Sequence, residues 1–380
     1  MIKTQWKELI AAGGLVFLLS GVLVASQTTH QAAKGVNSAT QQEVIHYVRE
    51  RFGIPDAAKL TIAPFQNSEY HDFYQTTIYV ENGKRKAAQS AFVTKDGRYL
   101  AIGSVFVASE TVQPAVRANP SATDQKIIQY VREKFRIPVT IKLSVGPFQD
   151  SEYRDFYQTN IYAESEKGKS TQRAFVTKDG RYTVIGSVYN LNADPRKEVE
   201  HSISLKGQAS VGPADAPVTI VEYADLECPM CARMHQFLAQ EVIPKYGNKI
   251  RIVFKEFPLV TIHDWALTAA IANECAYDLD PSTFLRYRST IFTNQGLING
   301  ANVRTLLLDF GQRVGLNRLR LATCIDSKQS LPRVEADLRE GQQLGIASTP
   351  TLFVNGRPVV GMPSPEQFYK ILDQALSSAK

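Results

Sequence analysis

At 380 residues the chain is too long for one ordinary domain, and two or three are expected. Its apolar fraction of 44% and charged fraction of 21% match folded globular proteins and exclude long disorder. The net charge of +6 is mild, with bases and acids intermixed rather than gathered on one element, so no nucleic-acid partner is expected.

The N-terminus carries the first signal. Lys3 and Lys7 precede an uncharged apolar run from Leu9 to Ala25. A basic start before such a run is the pattern of an export signal, and Val24 and Ser26 are small enough for a peptidase. The run is slightly short for a membrane-spanning helix, and Gly13, Gly14 and Gly21 weaken it. Residues 1–26 are therefore read as a signal peptide or a membrane anchor. Either places the rest of the chain outside the cytoplasm, in the periplasm or cell envelope.

An internal repeat follows. Residues Ile45–Val107 align without a gap to Ile128–Asn190, with about 40 of 63 positions identical. FQNSEYHDFYQTTIY, from Phe65, faces FQDSEYRDFYQTNIY, from Phe148, and AFVTKDGRY occurs twice, from Ala91 and from Ala174. In the second copy Ile127, Ile128, Tyr130, Val131 and Phe135 give a helical stripe that Pro138 stops. β-Rich runs then cover residues 141–145, 156–163, 173–176 and 182–189. Lys178-Asp179-Gly180 is a tight hairpin turn. Each copy, 42–108 and 124–191, reads as an α+β repeat of one helix and an antiparallel sheet. The two could pack on each other or pair across a homodimer. Repeated aromatics such as Tyr70, Phe73 and Tyr74, matched by Tyr153, Phe156 and Tyr157, read as core and sheet packing. Ala108–Asp124, with Pro114 and Pro120, and Asn192–His201, broken by Pro195, read as linkers.

From about Ser202 the pattern changes. An apolar strand, Val218–Tyr223, leads to a helix from Cys228 to about Val242 and a second strand, Ile250–Phe257. A mostly helical block spans about 258–346. A hairpin follows, its strands Thr351–Val354 and Arg357–Val360 joined by Asn355-Gly356, and then a helix from Ser364 to about Ser377. The order β-α-β, helices, β-β-α is an α/β sheet with an inserted helical block, over residues 202–380.

The chemistry sits in EYADLECPMC, which ends at Cys231. One turn of helix brings Cys228 and Cys231 within disulfide range. Pro229 suits the first helical position, and the helix N-terminus offers Cys228 free N–H groups and a positive dipole end. That favours thiolate over thiol, taking the pKa from about 8.5 into the range of roughly 3.5–7.5. A zinc site with His235 as third ligand lacks a second close pair of ligands, and an inert disulfide does not explain the strand-to-helix placement. His235 reads as a surface helix residue and Lys255 as an exposed strand lysine. Cys275 and Cys324 stand alone on separate segments. No metal, nucleotide or flavin motif appears, so no cofactor is expected.

Val218–Phe237 resembles the active-site region of DsbA-like thioredoxin domains, and the resemblance extends over about residues 202–378, insert included. It implies a thioredoxin fold with an inserted helical domain, preceded by the two repeats. It implies Cys228 as the exposed nucleophile, Cys231 as the buried resolving cysteine and Glu222 as the acid beneath them. Thr349 and Pro350 match the family's cis-proline loop, which binds extended substrate backbone; Pro is what a cis bond there requires. Glu222 on an edge strand facing solvent, and a trans Pro350, are the bland alternatives. Some members carry a second disulfide in the insert, and a Cys275–Cys324 bridge is expected, worth roughly 3–4 kcal/mol by loop closure.

The resemblance implies thiol–disulfide exchange with client protein thiols and disulfides, and a redox partner protein, soluble or membrane-bound. It does not fix direction. The insert and Pro229-Met230 look like oxidase members. TKDGRYTVIGSVYNL, from Thr177, is similar to the end of the dimerisation domain of periplasmic disulfide isomerases, and Thr349 before Pro350 also occurs in that group. An oxidase is the favoured expectation, with an isomerase or reductase, or a chaperone-like binding protein with a secondary redox pair, as alternatives.

Overall fold

The computed structural model describes residues 38–83, 85–108, 120–165 and 168–379. The segment read as signal or anchor lies outside the described residues. Among the described residues no helix is long and apolar enough to cross a membrane. The chain divides into two units, Met1–Pro195 and Arg196–Lys380.

The first unit is built twice from one plan. Helix α1 (Ser38–Phe52) precedes β1 (Lys59–Ile62), β2 (Gln66–Asn67), β3 (Phe73–Asn82), β4 (Arg85–Thr94) and β5 (Tyr99–Val107). Helix α2 (Pro120–Lys134) precedes β6 (Lys142–Val145), β7 (Gln149–Asp150), β8 (Phe156–Ser165), β9 (Gly168–Thr177) and β10 (Tyr182–Asn190). Pro120, expected in a linker, instead opens α2, where a missing N–H costs nothing. Val44, Tyr47 and Val48 of α1 and Ile127 and Val131 of α2 supply the buried stripes.

The two copies form one ten-stranded sheet, ordered β1-β3-β4-β5-β10-β9-β8-β6, with β2 on β3 and β7 on β8. The seam is the antiparallel pair β5–β10, in which Gly103 faces Gly186, its counterpart in the other copy. Both have positive φ, +140° and +145°, and a Cβ on either would fall 2.2 Å from the facing strand's carbonyl oxygen at Ile185 or Ile102. Only glycine permits that approach. Ion pairs cross the seam symmetrically, Arg98 with Asp155 at 2.9 Å and Arg181 with Asp72. So do aromatic contacts: Tyr99 edges onto Phe156, and Tyr182 onto Phe73.

Helix α3 (Pro195–Ser202), where the sequence suggested a linker, starts at the last residue of the first unit and runs into the second. Pro195 starts it rather than breaking a chain, and buried Val199 docks it. Then come β11 (Ser210–Val211), β12 (Val218–Ala224), α4 (Pro229–Phe237), a π-helical turn (Leu238–Val242), α5 (Ile243–Tyr246) and β13 (Ile250–Glu256). The insert contributes α6 (Ala266–Leu279), α7 (Phe284–Thr293), α8 (Val303–Arg313), α9 (Arg318–Asp326) and α10 (Leu331–Gln343). The chain closes with β14 (Thr351–Val354), β15 (Arg357–Val360) and α11 (Pro365–Ser378). The sheet order is β11-β13-β12-β14-β15, with β12 parallel to β13 and the other pairs antiparallel. Strand β12 is central and buried on both faces, which explains its largely apolar sequence. Alternation along β12 turns Val218, Ile220 and Glu222 to one face and Val221 and Tyr223 to the other.

Candidate functional site

Strand β12 delivers the chain to Asp225, and α4 starts four residues later. Cys228 is the residue just before the helix, in extended conformation (φ −71°, ψ 121°), with Pro229 as the first helical residue. Its carbonyl accepts the N–H groups of Cys231 and Ala232 at 3.1 and 3.2 Å. The Cys228 side chain keeps a small exposed fraction, whereas Cys231, one turn on, is fully buried. Both are free thiols here.

Their electrostatics diverge. The Cys228 thiol is lowered to about 5, chiefly by a hydrogen bond from the Cys231 side chain. Burial opposes this, while the Cys231 and Met230 N–H groups at the helix N-terminus and the Thr349 contact assist. Burial pushes the Cys231 thiol far up, and the negative charges of Cys228 and Glu222 add to that. The Asp225 backbone N–H donates to Cys231 Sγ at 3.4 Å.

Thr349–Pro350 is a cis peptide bond. The Cys228 thiol reaches the Thr349 carbonyl at 3.5 Å, so this loop lies against the sulfur. The Pro350 carbonyl accepts the Gly361 N–H at 2.8 Å, tying the loop to the end of the hairpin.

Glu222 is fully buried on the central strand, not on an edge facing solvent. Burial raises its pKa, and the Arg288 guanidinium, 3.3 Å away, works against that rise. Cys228, Cys231, Glu222, Thr349 and Pro350 are thus gathered on one side of the unit. Cys275 and Cys324 stand apart, bonded to each other and joining α6 to α9.

Two expectations are corrected. Lys255 is buried, not exposed: strand alternation turns it away from Glu222 to the opposite face, where α10 brings Asp337 and Glu340 to 2.9 and 2.7 Å. His235 is also buried, not on the surface, because α4 packs against α7. Its Nε2 meets Ser289 Oγ at 2.7 Å, and burial takes its pKa down to about 3, so it is neutral.

Other site residues carry no motif. Asp225 accepts the N–H groups of Glu227 and Leu259, and its Oδ2 lies 2.7 Å from His263 Nδ1. Gln295 donates to the Leu226 and Cys228 carbonyls at 2.7 and 3.2 Å, holding the approach to α4. Only the acidic character of EYADLEC, around Asp225, hinted at this shell.

Residues 204–374 match the family model described as Thioredoxin. The second unit, which carries this match, has a thioredoxin fold. Similar solved structures include oxidised BdbD from Bacillus subtilis, 26% identical, covering 46% of this chain and 95% of that one (TM-score 0.41). Wolbachia pipientis alpha-DsbA1 is 23% identical over 48% of this chain and 96% of its own (TM-score 0.43). The catalytic domain of Proteus mirabilis ScsC is 20% identical over 48% and 97% (TM-score 0.40). Among curated relatives, the Na(+)/H(+) antiporter NhaA 1 of Salinispora arenicola is 33% identical over 146 residues, 38% of this chain and 21% of that protein. The Na(+)/H(+) antiporter NhaA 3 of Salinispora tropica is 30% identical over 169 residues, 44% of this chain and 25% of its own. The chain spans about a quarter or less of the length of these two relatives.

Proposed function

We propose that this protein is an extracytoplasmic thiol–disulfide oxidoreductase that passes its Cys228–Cys231 disulfide to client proteins, working as an oxidase. One observation carries the reading: an acidic Cys228 thiol at a helix tip stands beside a fully buried Cys231 thiol held well above its ordinary range.

The client's thiolate attacks Cys228 Sγ, the more accessible end of the disulfide, and Cys231 leaves. A second client thiolate then attacks the client sulfur of the mixed disulfide, forming the client's disulfide and expelling Cys228 as a thiolate. An acidic Cys228 is a good leaving group, and its stable thiolate favours the reduced enzyme, which makes the oxidised form an oxidant. The cis Thr349–Pro350 loop, lying against Cys228, supports a role in aligning an extended client backbone. A redox partner that reoxidises the pair completes the cycle.

Equilibration of the full chain with glutathione buffers tests the direction. A potential near −120 mV, the oxidising end of the thioredoxin-fold range, is expected; one near −270 mV would make the protein a reductase. An intermediate value near −180 mV would favour isomerisation, with the repeats as a client-binding or dimerisation module.

A further inference from the structure

Behind the cysteine pair the buried polar cluster extends past the single acid that the sequence pointed to. Arg288, on α7 of the insert, reaches the sheet with no exposed surface. Its guanidinium is bound by two carboxylates from adjacent strands, Glu222 Oε2 at 3.3 Å and Glu256 Oε1 at 2.8 Å. Asn273 of α6 donates to the same Glu256 oxygen at 2.7 Å. The other oxygens, Glu222 Oε1 and Glu256 Oε2, are buried and accept no hydrogen bond. Both Glu222 and Arg288 lie near enough for their charges to act on the Cys231 sulfur.

Charge counting gives this arrangement its meaning. A guanidinium does not deprotonate in proteins. One cation between two ionised carboxylates leaves a net negative charge without water, a costly state. Burial raises both acids, Glu256 to about 8, and the shared Arg288 guanidinium works against each rise. Of the remaining groups packed around it, Glu274 and Asp337 push Glu256 further up although each has a cationic partner. His235 of α4 is uncharged, Glu274 of α6 is bound by Arg333, and Asp337 of α10 is bound by Lys255.

We propose that Arg288 and Glu256 are positioning residues for Glu222, the acid to which the family resemblance already gives the proton traffic of Cys231: the two carboxylates share one guanidinium and hold one proton between them, so Arg288 and Glu256 set how readily Glu222 takes and returns that proton. The proposal rests on the exchange chemistry above and deepens it. When Cys231 closes the disulfide, its S–H proton passes to ionised Glu222, whose free Oε1 can take it. The sulfur then bonds to Cys228 Sγ, the bond from Cys228 to the client sulfur breaks, and that electron pair leaves on the client as a thiolate. When a client opens the disulfide, the same proton returns to Cys231.

The test uses the full reduced chain with Cys228 converted to a mixed disulfide with thionitrobenzoate. Attack by Cys231 releases the coloured thiolate, and its rate is followed against pH. Release from the native chain should rise with a midpoint below the ordinary thiol range of about 8.5. Glu222→Gln should slow release at neutral pH by about 100-fold. Glu256→Gln gives Glu222 the whole guanidinium and should move the midpoint down by a pH unit or more; Arg288→Lys should move it up. Profiles of a folded Glu256→Gln variant that superimpose on the native one would overturn the proposal, whatever Arg288→Lys does and even if melting temperatures fall. No release from the native chain at any pH would remove the exchange reading, and this proposal with it.

Discussion

The four cysteines divide by surroundings. Cys228 occupies a helix tip, where free N–H groups and a neighbouring thiol stabilise its charge. Cys231 is fully buried, and the negative charge of Glu222 acts on it. Cys275 and Cys324 lie in the apolar core of the insert, beside the Ser330 hydroxyl, at a sequence separation of 49. Closing a loop of that length restricts the unfolded chain by about 4 kcal/mol. Replacing either with serine should therefore lower the melting temperature by several degrees while client oxidation, measured below that temperature, continues. Loss of oxidation in a variant that still melts cooperatively would place this bridge in the redox chemistry instead.

At the level of elements, the informative feature is the β5–β10 seam. The repeated copies pair their last strands about a local two-fold, and each lends the other an ion pair and an aromatic edge. The strand that would lie at the edge of a single copy is thereby covered, leaving four-residue β1 and β6 at the sheet's ends. Gly103 and Gly186 are its weak points. Alanine at either would place a methyl group against a carbonyl and strain a left-handed backbone, costing at least about 2 kcal/mol. Thermal unfolding of Gly186→Ala should show the first unit melting earlier with the second unchanged; an unaltered first transition would contradict the seam.

Across the whole molecule, much of the architecture was legible in the sequence because it follows from local rules. The 40-position identity announced the repeat, period-2 runs gave its strands, and Asn355-Gly356 fixed the hairpin. The central strand and the cysteine turn were legible for the same reason, since capping chemistry is local. What escaped was set by long-range packing. Lys255 and His235 looked exposed because their burial depends on α10 and α7, distant in sequence. Pro195 looked like a linker signal, because proline both breaks chains and opens helices. Arg288 carried no sequence sign at all: its meaning comes from two strands that the fold places beneath the insert. Every step of the exchange requires Cys228 to be an acidic, accessible sulfur. The most direct measurement is the rate of iodoacetamide alkylation of Cys228 in the reduced chain as a function of pH. A half-maximal rate near pH 5 is expected; a midpoint at the ordinary thiol value of about 8.5 would contradict it.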